Sequence, residues 1–182
     1  MNTNGQSAQA VLEFWTQAGP KRWFAKDEAF DATFRDTFYT THVQAARREL
    51  EGWLETAQGA LALLILLDQY PRNAFRGTAH MFATDPLARL YARRMVDAGL
   101  DQQVEPSLRA FCYLPFEHSE DKADQQRSVA LNQHLDANTF HWAKEHADII
   151  ERFGRFPHRN DVLARPTTEE ERVFLDAGGF AG

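Results

Sequence analysis

A chain of 182 residues fits one domain, and folding it should bury about 70% of the surface its unfolded form exposes, enough for a core that needs no partner. With 43% hydrophobic and 25% charged residues, fourteen Phe and four Trp, the composition is that of a globular protein and excludes intrinsic disorder. Twenty Lys and Arg against 26 Asp and Glu leave a net charge of −6, the wrong sign for neutralising duplex phosphates, so nucleic acid is not an expected partner.

Met1 to Ala10 is polar and uncharged, unlike a secretory signal. The longest apolar run, Ala60 to Leu67, is far short of the roughly 20 residues that cross a bilayer, so no membrane span is expected. The lone Cys112 lies between Phe111 and Tyr113 and reads as a small buried hydrophobe, which permits a reducing, cytoplasmic setting.

In chain order, Ser7 is placed to cap a first helix whose Val11, Phe14 and Trp15 share a face and which Gly19-Pro20 ends. After a linker begun by Trp23-Phe24, the spacing predicts a helix over about Lys26 to Leu50, with Phe30, Phe34, Phe38 and Ala46 as a ridge. Thr56 to Gln69 is apolar on every side, the mark of a central helix enclosed by others, and Pro71 should stop it near Tyr70. Asp85 can cap the next helix, with Pro86 at its first position and Gly99 at its end. Pro106 opens a segment that Pro115 ends or kinks. Ser119 is expected to cap a helix running to about Leu135, and Asn138 or Thr139 one ending at Gly154, with Ala143, Ala147, Ile150 and Phe153 inside. Thr167 or Thr168 with Glu170 or Glu171 makes a capping box before the last helix. The fold class expected is all-α: one helical domain over residues 1–182, ordered from about 7 to 177, with helices packed around the apolar one.

Four groups of residues carry chemistry. Asp68 ends the apolar helix, where the macrodipole is unfavourable to a carboxylate, so it needs a cation, and Arg72 is the nearest. The pair then fastens the turn, with Asn73 bonding its own backbone, unless Asp68 is a catalytic carboxylate. Arg152, Arg155, Arg159 and Arg165, with His158, concentrate positive charge in an acidic chain, opposed only by Asp161. They form either an anion site or a structural set that satisfies the last carbonyls of the helix ending at Phe153 and pairs with Asp68 or the 117–124 acidic group. Glu117, His118, Glu120, Asp121 and Asp124 match no recognised metal spacing, so neither metal nor cofactor is expected. His146 falls on the inner face of its helix, as a hydrogen-bonded core histidine or a pocket-lining acid or base. Asp68 to Asn73 is faintly echoed by Arg155 to Asn160, each an aromatic-proline turn followed by Arg-Asn.

Together, Leu67-Asp-Gln-Tyr-Pro-Arg-Asn73, Arg76-Gly77, Phe82-Ala-Thr-Asp85, Tyr113-Leu-Pro-Phe116, His118-Ser-Glu-Asp121 and Arg152-Phe-Gly-Arg-Phe-Pro-His-Arg-Asn160 resemble the bacterial domain-of-unknown-function family 924. The likeness runs from Val11 to the Thr168-Glu171 region, with Tyr70 and Glu117 standing where phenylalanine and methionine are expected. It implies a tetratricopeptide-like fold of antiparallel helix pairs, although the usual consensus positions of that repeat are missing. It implies no activity.

Two functions compete, with a purely architectural role for the polar turns as a third. The first is a binding module, in which Asp68, Arg72, Asn73 and Arg76 with Arg155, Arg159 and Asn160 line a polar groove for an acidic peptide, protein or small anion. The second is a small enzyme acting on an anionic metabolite, in which Arg155 and Arg159 fix the anion and His118, His146 or His158 move protons, Glu120 being a further candidate in the ligand site.

Overall fold

This computed structural model describes residues 5–180, and all regular secondary structure among them is helical. The helices gather into two compact units: residues up to Arg76 with His80–Pro115, and Phe116 onward with Gly77–Ala79.

The first unit begins with α1 (Ala8–Ala18), where the Ser7 hydroxyl accepts from the Ala10 amide. Gly19, at φ 72°, ends it in a conformation glycine adopts without strain, and Pro20 opens the short α2 (Pro20–Trp23). The carboxylate of Asp27 caps α3 (Glu28–Ala46). That helix stops short of the predicted Leu50 because Arg48 takes φ 65°, outside the right-handed well. The phenylalanine ridge packs as its spacing requires. Phe30, Phe34 and Phe38 all lie within 5.1–5.3 Å of the Phe14 ring, with Trp15 beside them. Burying each ring contributes about 1.5–3 kcal/mol, so this seam joins α1 to α3.

The apolar helix does not end at Tyr70. Thr56 caps α4 (Ala57–Leu64), which widens into a π-turn over Ile65–Gln69 and continues as α5 (Tyr70–Ala74). Every residue from Gly59 to Pro71 is buried. Pro71 supplies no N–H for Leu67 O, and the Tyr70 N–H that an α-helix would give to Leu66 O goes to Ile65 O instead. Side chains replace them: His42 Nδ1 donates to Leu66 O at 2.9 Å, and Thr84 Oγ1 donates to Leu67 O at 2.5 Å. The wide turn and two borrowed donors are what let the helix pass a proline.

In α6 (Asp85–Asp97) the cap position belongs to Thr84 rather than Asp85, whose carboxylate is held by Arg72 instead. Gly99, at φ 69°, follows its end as expected. Pro106–Cys112 forms a 3₁₀ segment leading into α7 (Leu114–Glu117). Cys112 is fully buried, and burial pushes its thiol pKa up.

In the second unit, α8 (Lys122–Asn132) is capped by Asp121 and α9 (Ala137–Phe153) by Asp136, displacing the expected Ser119 and Asn138 or Thr139. Ser119 instead accepts from the Asp121 amide and donates to Asp124. The two helices pack on one another. Gly154, at φ 69°, ends α9, and α10 (Glu169–Asp176) starts with the Thr168–Glu171 capping box. The core joins Ile149, Ile150 and Phe156, with Phe153, Phe174 and Phe180 against them. Ala147 is only half-buried; His146 and Ile149 take the inner face with Ala143 and Ile150.

Candidate functional site

The eleven candidate residues divide between the units, four in the first and seven in the second. In the first unit Arg72 lies over the turn it follows. Its Nη1 donates to Asp68 O at 2.8 Å and sits 3.3 Å from Asp68 Oδ1, and both terminal nitrogens meet the Asp85 carboxylate at 2.7 and 2.9 Å. Burial alone would lower the guanidinium pKa, but the two carboxylates outweigh it and raise it. Asn73 does not bond its own backbone: its amide donates to Asp31 Oδ1 at 2.7 Å, and Arg76 takes the same carboxylate at 3.0 and 3.3 Å. Asp31 comes from α3, 42 residues before Asn73, which is why a turn motif read locally misplaces this bond.

His42 stands behind this turn. Its Nδ1 faces a carbonyl, which can only accept, so the proton is on that nitrogen. The ring stacks on Tyr70 with centroids 4.6 Å apart. Burial lowers its pKa, partly offset by the bond to Leu66, with His80 lowering it further.

In the second unit Arg165, Arg155 and Arg152 are matched to carboxylates. Arg165 grips Glu120 with both terminal nitrogens, at 2.7 and 3.0 Å, and also reaches Phe156 O and Asn160 Oδ1. Burial by itself would raise the Glu120 pKa; Arg165 and the Phe156 amide more than reverse that and hold it below the usual range. Arg155 grips Glu171 at 2.6 and 2.8 Å and donates to Pro166 O. Glu171 also accepts from Asn160 Nδ2 and the Thr168 amide, and Arg155 first, then Thr168, bring its carboxyl down to about 2 against the opposing effect of burial. Arg152 pairs with Glu170 at the surface. The Arg159 guanidinium lies 4.4 Å over the Phe156 ring.

The histidines converge. His146 Nδ1 lies 2.8 Å from Trp142 O and 3.3 Å from Glu117 Oε1, and because the carbonyl only accepts, Nδ1 carries the proton. The two side chains are 7% and 4% exposed, so the pair is inside the protein. His118 stands 6.2 Å from His146, ring to ring. Phe180 lies 4.5 Å from His146 and 5.2 Å from His158, and Phe156 lies 5.5 and 5.6 Å from the same two rings. Gln125 holds the Glu117–His118 corner by donating to the carbonyls of Glu117 and Ser119 at 2.7 and 2.6 Å. Among the described residues no group of three His, Cys, Asp or Glu side chains is arranged to hold a metal ion. None of their helices is long and apolar enough to cross a membrane.

Three contacts have no local signal in the sequence: Glu117 with His146, Asp31 with Asn73, and the Phe180 ring against His146.

The family model described as "Bacterial protein of unknown function (DUF924)" matches residues 11–179. The solved structure of a protein of unknown function, ATU0120 from Agrobacterium tumefaciens, superposes with a TM-score of 0.92 at 58% sequence identity. The match covers 94% of this chain and 97% of that one. No curated protein matches the chain.

Proposed function

The chain belongs to the bacterial protein family DUF924, whose function is unknown, and on that premise we propose from its second unit that it is a small acid–base enzyme. His146 is the proton-transfer group and Glu117 the carboxylate that orients it. The carrying observation is the buried contact of His146 Nδ1 with both Glu117 Oε1 and Trp142 O, which fixes the ring and its tautomer. A carboxylate behind an imidazole also stabilises the imidazolium formed when the ring accepts a proton. Buried titratable pairs of this kind concentrate at functional sites.

The substrate we propose is a small anion, because His158 and Arg159 share the Phe156 ring with His146, and His118 stands against the His146 ring itself. Recognition of an acidic peptide by Arg155 or Arg165 is less well supported. Each would first have to leave a bidentate carboxylate, and breaking such a pair strands a charge. The test is a thermal-shift panel of small carboxylates and phosphates, followed by turnover assays on whatever stabilises the protein. A stabilising anion whose turnover is lost in His146→Asn and in Glu117→Gln, with both variants folded, supports the proposal. No stabilising anion across the panel, or turnover that survives both changes, refutes it.

A further inference from the structure

The first unit carries an open groove of about 770 Å³ between α1 and the turn that leads into α4, within the size range of ligand sites. Its floor is mostly carbon, from Ala8, Leu12 and Trp53, and amide side chains from Gln9, Gln17 and Gln58 stand around it. Two glycines shape it. A Cβ on Gly59 would lie 2.2 Å from Trp53 O, so only glycine lets the first turn of α4 come this close under Trp53. A Cβ on Gly52 would meet nothing within 4 Å, so the wall is open there.

The walls are also free of positive charge. No Lys, Arg or His occurs from Met1 to Pro20 or from Glu49 to Pro71, the two stretches that supply every lining residue. They do contain Glu13, which lines the groove, and the exposed Glu55, which sits between lining residues Trp53 and Thr56. Of the cations near the two stretches, Arg48 is paired with Glu51 at 2.6 Å and Arg22 with Asp27 at 3.8 Å.

An apolar trough with a negative rim fits one kind of occupant. We propose that this groove docks a basic amphipathic helix of another protein, with apolar side chains one turn apart against Leu12 and Trp53 and Lys or Arg facing Glu13 and Glu55. The inference is independent of the acid–base proposal, which concerns the other unit and is read by turnover.

The probe is a labelled helical peptide of about 18 residues with leucines along one face and lysines elsewhere, compared with a twin bearing glutamates in place of lysines. Anisotropy is measured at low and high salt. The lysine peptide should bind at least about tenfold tighter than its twin at low salt and lose that margin at high salt. Gly52→Phe, whose Cβ meets nothing within 4 Å, should abolish binding while leaving circular dichroism unchanged. Glu13→Lys with Glu55→Lys should reverse the preference between the peptides. Equal binding of the twins, binding untouched by Gly52→Phe, or a self-associated protein that Gly52→Phe converts to monomer would overturn the proposal. The last outcome would assign the groove to a second copy of the chain.

Discussion

Replacing Thr84 by valine isolates the bond that lets the central helix pass Pro71. The change keeps shape and volume and removes only the hydroxyl that donates to Leu67 O. Leu67 is fully buried and residue 71 has no N–H, so the carbonyl would face neither water nor a backbone donor. An unsatisfied buried acceptor costs about 1–3 kcal/mol, which in a chain of this size lowers Tm by roughly 3–10 °C. Urea unfolding should report the loss as a shifted midpoint at unchanged slope. The decisive control is Pro71→Ala, which restores a backbone donor beside Leu66 and Leu67. In the double variant the penalty of Thr84→Val should shrink by about 1 kcal/mol, appearing as coupling in a double-mutant cycle. A single variant within about 0.3 kcal/mol of the parent, or strictly additive changes, would refute the account of the π-turn.

Three further outcomes follow from geometry already described. His42 is buried with a lowered pKa, so its contribution is intact above the ordinary imidazole value of 6.5 and is lost as pH falls below it; His42→Asn, which keeps a donor for Leu66 O, should remove that part of the stability curve. Glu171, brought down to about 2, contributes stability that is complete above the ordinary glutamate range and disappears as pH falls through about 2, so Glu171→Gln should cost about 2 kcal/mol at pH 7 and flatten the acid limb. Ala164 takes φ 52°, so Ala164→Gly should raise stability by about 1 kcal/mol in the same urea assay, whereas a loss would contradict the strain.

What could be read before folding was whatever is decided within one turn of chain. Ser7, Gly19-Pro20, Gly154 and the Thr168–Glu171 box each act on backbone groups two to four residues away, and all are found in place. Errors arose where two local solutions compete. Asp121 and Asp136 cap helices that Ser119 and Asn138 or Thr139 were equally able to open, and Asp85 was withdrawn from capping by an arginine thirteen residues earlier. Pro71 misled for a different reason: a proline ends a helix only when the carbonyls it orphans stay unsatisfied, and the donors that rescue them come from α3 and from Thr84 at the start of α6. Candidate chemistry was legible by residue type alone. That the arginines meet the 117–124 acidic group was readable from charge, and Arg165 does meet Glu120, but which carboxylate each takes was not, and nothing near Asn73 announces Asp31. Those pairings exist only once the helices have packed.

The Glu171 carboxylate binds a side chain before α10, one inside the preceding loop and the amide that begins its own helix. An eight-residue helix has too few internal bonds to persist alone in water. Detaching it therefore means surrendering Arg155, Asn160 and Thr168 together, and the stretch from Arg155 to Asp176 should open as one event instead of fraying residue by residue. A protease would find this terminus all or nothing.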